Sequence, residues 1–402
     1  MTSTKTKARA VLLAVVLGAC GGAKANYRDK ARSQTDWIQS NYFDAKAGLY
    51  RAAFPADPKG LPYEVMWGNG VQFSALVGAT RDNPTKYKPI LDAFAKGLEK
   101  YWDTGVAIPG FDAWFSSPDN DDKYYDDNAW LTLGFAEAYR VTKDTRYLDW
   151  ARKTHHFVLS GYDDKLGGGL YWHQQDLKSK NTCVSAPAAT GALALYNLGD
   201  RDQLATAQSL VTWTTKTLQD PTDGLFWDNI KLDGKVEKAK WTYNTALMIR
   251  ANIGLWRATK VAKYLQDARR EGDSALPHWT DPATGGFKDS ARFNHLLSES
   301  LLQLFEATHD LKYLNAVRRD ADFAYRYVRD AGGGYWNDWK IKPHTADERK
   351  QLIENASVAR LFWLLAPYPD VEELSAQAKT AEARQDWKRA SELLRQAVDS
   401  TS

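Results

Sequence analysis

Only two cysteines stand among 402 residues, Cys20 and Cys183. The fold therefore rests on burial of apolar surface and not on a disulfide framework. Cys183 is read as a small buried residue rather than a nucleophile. Neither sign of charge is in excess: 53 basic against 50 acidic residues give a net charge of +3. No long basic run stands out, which argues against a nucleic-acid partner. After residue 17 no apolar run is long enough to span a bilayer. Phosphate-loop glycines, a dinucleotide fingerprint and zinc-ligand spacings are also missing, so no cofactor and no metal are expected. The acidic run Asp119-Asn120-Asp121-Asp122 lacks the Gly and final Glu of a calcium loop and reads as a solvated loop. A monomer is expected.

Aromatic residues are plentiful: 16 Trp stand beside 20 Tyr. Such rings fill cores, and they also stack on the apolar CH faces of sugars. Composition does not separate the two uses. With 44% hydrophobic and 26% charged residues, the chain is globular and can bury a large core.

The first residues resemble an export leader. Lys5, Lys7 and Arg9 form a positive start, and residues 10–17 an apolar stretch too short to span a membrane. Leu17-Gly18-Ala19-Cys20 resembles a bacterial lipobox, with Cys20 lipidated. Residues 1–20 are thus expected to be a leader, and the mature chain to be exported and lipid-anchored to a membrane. The alternative is secretion after cleavage at Ala25.

A loop motif of Gly plus aromatic or Leu recurs along the chain, with its glycine at Gly48, Gly110, Gly169, Gly224, Gly286 and Gly334. The glycines are 62, 59, 55, 62 and 48 residues apart. Each interval has room for two helices, and a period of this size marks a repeat architecture. One set of predicted helices is amphipathic and charged: 26–41, 86–101, 145–160, 201–218, 261–275 and 311–329. The other is apolar on most faces and rich in small residues: 67–79, 127–140, 185–198, 243–258, 294–307 and 355–365. Helices apolar all round are buried. Twelve alternating helices predict an all-α toroid of six hairpins over 26–369, an (α/α)6 barrel with its Gly-aromatic loops at one end. Residues 370–402 read as an appended helical hairpin.

Asp126 and Asp127 open the second buried helix, flanked by Tyr124, Tyr125 and Trp130. Burying a charge is costly unless something compensates it. Paired carboxylates in a partly dry, aromatic site are the working parts of glycoside hydrolysis; the plainer reading is that they cap the helix. Lys180-Asn181, Phe226-Trp227-Asp228-Asn229 and Trp241-Thr242-Tyr243-Asn244 fall at the starts of other buried helices or in nearby loops. Amides and acids of this kind bond hydroxyls, and rings stack on sugars.

On these residues the chain is similar to glycoside hydrolase family 76, the endo-α-1,6-mannanase family, across about 27–366. Tyr125-Asp126-Asp127-Asn128-Ala129-Trp130 is the most specific element. Lys180-Asn181, Phe226-Trp227-Asp228-Asn229 and Thr242-Tyr243-Asn244 support it in order and spacing. The resemblance implies an (α/α)6 barrel and a retaining mechanism, with Asp126 as nucleophile and Asp127 as general acid/base. It also implies a poly- or oligosaccharide substrate touched by Asn128, Trp130, Asn181, Phe226, Asp228, Asn229, Trp241, Tyr243 and Asn244. The residues alone do not say which Asp plays which part. The chain departs from the family pattern after Asn181, at Thr182-Cys183, and after Asn244, at Thr245-Ala246. Two other readings use the same toroid. A sugar epimerase or isomerase would need paired histidines, but only His295 lies on a buried helix. His155, His156 and His309 are expected at the periphery, and His173 could reach a loop site. A glycan-binding lipoprotein would keep the aromatics without needing both aspartates.

Overall fold

The structure, a computed structural model, describes residues 26–345 and 347–399. The leader, Cys20 and the alternative cleavage at Ala25 lie outside the described residues. Fourteen helices are described: α1 (Tyr27–Tyr42), α2 (Met66–Asp82), α3 (Pro84–Leu98), α4 (Tyr125–Thr142), α5 (Thr145–Leu159), α6 (Thr182–Asn197), α7 (Gln203–Leu218), α8 (Thr242–Thr259), α9 (Ala262–Trp279), α10 (Ala291–Thr308), α11 (Leu311–Phe323), α12 (Leu352–Leu365), α13 (Val371–Ala383) and α14 (Trp387–Asp399). Even-numbered α2 to α12 form an inner ring in which each packs on the next and α12 closes on α2. Each of α3 to α11 outside packs on the inner helix before it, whereas α1 packs on α12. The start of the barrel is thereby locked to its end, and the fold is the expected (α/α)6 toroid.

Small residues let the inner helices approach closely. A Cβ on Gly78 would lie 2.8 Å from the Trp363 side chain, and one on Gly254 would lie 2.7 Å from Leu193. The six Gly-aromatic motifs do gather at one face. Each pairs antiparallel with the chain just past the preceding outer helix: Phe43 with Tyr50, Trp102 with Phe111, Tyr162 with Leu170, Gln219 with Phe226, Thr280 with Phe287, Arg329 with Tyr335. At Gly169 and Gly224 φ is +78° and +77°, a backbone that side chains disfavour. At the opposite face Lys143, Lys260 and His309 end α4, α8 and α10 in the left-handed region.

None of the six inner helices begins with a side-chain cap. In five of the six the first N–H bonds instead to a loop of a neighbouring unit: Met66 to Ala113 O (3.0 Å), Tyr125 to Trp172 O (2.9 Å), Thr182 to Asp228 O (2.9 Å) and Leu352 to Ala52 O (2.9 Å). Thr242 N donates to the Asp289 carboxylate at 2.8 Å. The loops are thereby drawn over the positive ends of the inner helices.

A second fastening repeats at the fourth residue of the inner helices. Asn128 accepts from Phe111 N (2.9 Å) and donates to Phe111 O (2.9 Å). Ser185 accepts from Leu170 N, Thr245 from Phe226 N and Asn355 from Tyr335 N. Helix α13 opens with a capping box of Asp370 and Glu373, and it packs on α14 through Leu374, Ala378, Leu393, Leu394 and Ala397. Among the described residues no helix is long and apolar enough to cross a membrane.

Asn355 is fully buried, and its amide also meets Gln34, Tyr335 O and Gln351 O. Asn355→Ala leaves these groups unpaired, and each such group costs about 1–3 kcal/mol. Urea denaturation should show a loss of about 3 kcal/mol or more. A loss below about 1 kcal/mol would mean that the fastening is dispensable.

Candidate active site

Asp126 and Asp127 occupy the first turn of α4, one and two residues after its first residue, Tyr125. The cap position is Tyr124, and neither acid caps the helix. Asp126 Oδ1 accepts from the N–H of Asp127 at 3.0 Å. Its Oδ2 accepts from the Trp172 indole N–H at 2.9 Å. Burial raises Asp126 to about 6, although Trp172, the Asp127 N–H and the Cys183 thiol all favour its charged form. Asp127 is raised further, first by burial and then by the charges of Asp126 and Asp122. Of two like charges side by side only one is easily held. Asp126 has the donors, so it carries the charge and Asp127 keeps the proton.

The loop bearing Trp172 is held from below by Lys180. Its ammonium is fully buried and donates to the carbonyls of Asp163 (2.7 Å), Lys165 (2.8 Å) and Gly168 (2.7 Å). It also pairs with the Asp163 carboxylate at 2.6 Å. Lys123 plays the same part just before the acids. Fully buried, it pairs with Asp103 (2.6 Å), Asp112 (3.1 Å) and Asp121. Those three carboxylates lie close enough together to hold a cation, and the Lys123 ammonium supplies the positive charge there. Asp121 is therefore an ion-pair partner and not only a solvated loop residue. The strand-like pairing of Tyr124 with His173 seats these two loops against each other, and the two rings stack at 4.3 Å.

A short sheet of Ser179–Asn181, Asn229–Lys231 and Val236–Glu237 leads into α6 and packs on α7, with Asn181 opposite Asn229. Asp228, beside it, accepts from Asn229 (2.8 Å) and Asn244 (3.4 Å). Burial raises its pKa against those two donors. Cys183, buried as expected, is pushed up by burial and by Asp126 and Asp228. Burial, then Cys183, Asp228 and Asp126, raise the Tyr243 phenol. Asp126, Asp228, Cys183 and Tyr243 therefore share one electrostatic neighbourhood across α4, α6 and α8. From Tyr243 an aromatic row continues through Phe293 (4.4 Å) to Trp67 (5.5 Å), with the exposed Trp241 at its edge. Trp130 lines the cavity on the ring axis.

Two expected sugar contacts are corrected. Asn128 is fully buried and its amide is spent on the backbone of Phe111 and Tyr124. Phe226 is likewise fully buried in the core between α6 and α8. Asn181 and Asn244 are also buried, and the Asn244 Oδ1 has no partner. Sequence reading placed Tyr124 beside the acids and His173 within reach of a loop site, but missed Trp172 as the partner of Asp126, and Phe293 and Trp67 in the row from Tyr243. The Gly169 motif, with Trp172 two residues past Leu170, was the signal for the first of these. His295, the one histidine on an inner helix, is bonded to Ser357 (3.0 Å). Burial, then Arg360 and Arg250, lower it to about 3, so it stays neutral. His155 lies on outer helix α5 against Gln203.

Comparison with known proteins places this geometry. A family 76 α-mannanase of Bacteroides thetaiotaomicron superposes with a TM-score of 0.80 at 25% identity, over 86% of this chain and 97% of that one. The α-1,6-mannanase of a Salegentibacter species superposes with a TM-score of 0.72 at 24% identity, over 85% and 99%. An inactive variant of that enzyme, with two adjacent aspartates changed to asparagine, has been solved with α-1,6-mannotriose. Among curated proteins, the meiotically up-regulated gene 191 protein of Schizosaccharomyces pombe is 30% identical over 273 residues, 59% of this chain and 60% of that protein. The sequence model of glycosyl hydrolase family 76 matches residues 27–315. That match runs from the first helix into the eleventh and covers well over half of the chain, so this protein belongs to glycosyl hydrolase family 76 and is a glycosidase.

Proposed function

We propose that the protein hydrolyses α-1,6-mannosidic linkages in a mannan-type polysaccharide, with retention at the anomeric carbon. The observation that carries this reading is the unequal footing of the two adjacent acids. Asp126, oriented by Trp172 and the Asp127 N–H, attacks the anomeric carbon as a carboxylate. Asp127, kept neutral by burial and by its charged neighbour, gives its proton to the departing glycosidic oxygen. The bond to Asp126 is then opened by water, from which Asp127 takes a proton. The aromatic row from Tyr243 to Trp67 offers faces for sugars beyond the cleaved bond. The two aspartates of the inactive Salegentibacter variant support the pair as the reacting groups. The leader reading adds that the reaction takes place after export, with Cys20 as the anchor.

Incubation of the chain from residue 21 with linear α-1,6-mannan should release short oligosaccharides, read by chromatography. Asp127→Asn should lower turnover about 100- to 10,000-fold, the range lost with a general acid, and Asp126→Asn should abolish it. Intact polymer with wild type would remove this linkage. Undiminished turnover in either variant would remove the two-carboxylate mechanism.

Activity requires Asp126 ionised and Asp127 protonated. The rate should therefore rise with pH through about 6, and fall again at higher pH as Asp127 loses its proton. Trp172→Phe removes a donor that favours the Asp126 carboxylate. The acidic limb of kcat/KM should move to higher pH while the alkaline limb stays. An acidic limb that is unmoved, or moves down, would contradict the role given to Trp172.

A further inference from the structure

The axis of the ring is hollow. A cavity of about 240 Å³ lies among the inner helices, with Trp67 and Trp130 at the site end. Its other end is lined by five guanidinium groups, Arg81, Arg140, Arg250, Arg257 and Arg360, against two carboxylates, Glu137 and Glu299. Both carboxylates are already shared. Glu137 pairs with Arg81 (2.6 Å) and Arg360 (3.0 Å). Glu299 pairs with Arg250 (3.1 Å) and Arg360 (3.2 Å). Arg257 turns to Glu306 at 3.4 Å.

Arg140 is left over. It donates to Ala194 O at 3.3 Å, and among the described residues no carboxylate lies in ion-pair range. Burial, with Arg250 and Arg81, lowers its pKa against the pull of Glu137 and Glu299. The buried Nε atoms of Arg250 and Arg360 also lack acceptors. Arg81, Arg140 and Arg257 stand in the last turns of α2, α4 and α8, where cations suit the helix ends. That account does not reach Arg250 and Arg360, which lie further inside. Arg81, Arg140 and Arg257 are exposed, whereas Arg250 and Arg360 are mostly buried, and unmet donors on buried groups are costly. A planar guanidinium fork matches a tetrahedral oxyanion.

We propose that this end of the axial cavity binds a small oxyanion of the phosphate or sulfate class, centred on Arg140 and Arg250. The ion ties the far end of α4, whose near end carries the acids, to the middle of α8. It is separate from the glycosidase site and does not depend on the linkage that site cleaves.

The test titrates inorganic phosphate into the chain from residue 21, against chloride at equal ionic strength, by calorimetry and thermal melting. Wild type should bind saturably and melt at a higher temperature in phosphate. Arg140→Gln should lose both effects, and Arg140→Lys should bind at least tenfold more weakly. Arg270→Gln, on an exposed outer helix, should behave as wild type. A wild type without saturable binding overturns the proposal, whatever the variants do. So does phosphate binding that survives unchanged in both Arg140→Gln and Arg250→Gln.

Discussion

Closure of the inner ring is the constraint on which the rest depends. The even-numbered helices α2 to α12 are buried on most faces, so their first turns cannot be left to water. They are met by loops from neighbouring units, at Met66, Tyr125, Thr182, Thr242 and Leu352. The polar residue at the fourth position of the helix, as at Asn128 or Asn355, then ties the unit's own Gly-aromatic turn to the same end. Satisfying buried backbone groups thus draws loops over five of the six positive helix ends. The site is assembled as a by-product of that requirement.

The same arrangement separates two chemically identical acids. Asp126 and Asp127 share a helix turn, yet the Trp172 indole and a backbone N–H both reach Asp126. Asp127 meets mainly burial and its neighbour's charge. The Lys180 ammonium gathers the carbonyls of Asp163, Lys165 and Gly168 in the loop that leads to Trp172. Lys123 does the same for the stretch before the acids. The two buried lysines replace what bound cations often do in loop-rich sites. They act on positions and not on the substrate.

Much of this was legible in the sequence because burial leaves a pattern. Inner helices are apolar all round and small-residue rich, and all six were placed with their starts within three residues of those observed. The first three residues of the helices at Thr182, Ala291 and Leu352 were missed. The acids were legible because two adjacent charges at the head of an apolar helix are costly to bury unless they perform a task there. Asn128 and Phe226 were misread because a polar or aromatic residue beside a site looks the same whether it faces the cavity or the backbone. Trp172, Phe293 and Trp67 were not placed at the site because their meeting depends on which loops the closed ring brings together. That is a long-range property no local pattern encodes.

The central claim is that Asp126, and not Asp127, forms the bond to the sugar. It is tested by trapping that bond. Asp127→Ala, incubated with an α-mannosyl fluoride, still forms the glycosyl-enzyme because fluoride leaves without a proton, and lacks the base that would hydrolyse it. Mass spectrometry of its peptides should find one added mannosyl group, on Asp126. A mannosyl group on another residue, or product of inverted anomeric configuration with no adduct, would contradict the account.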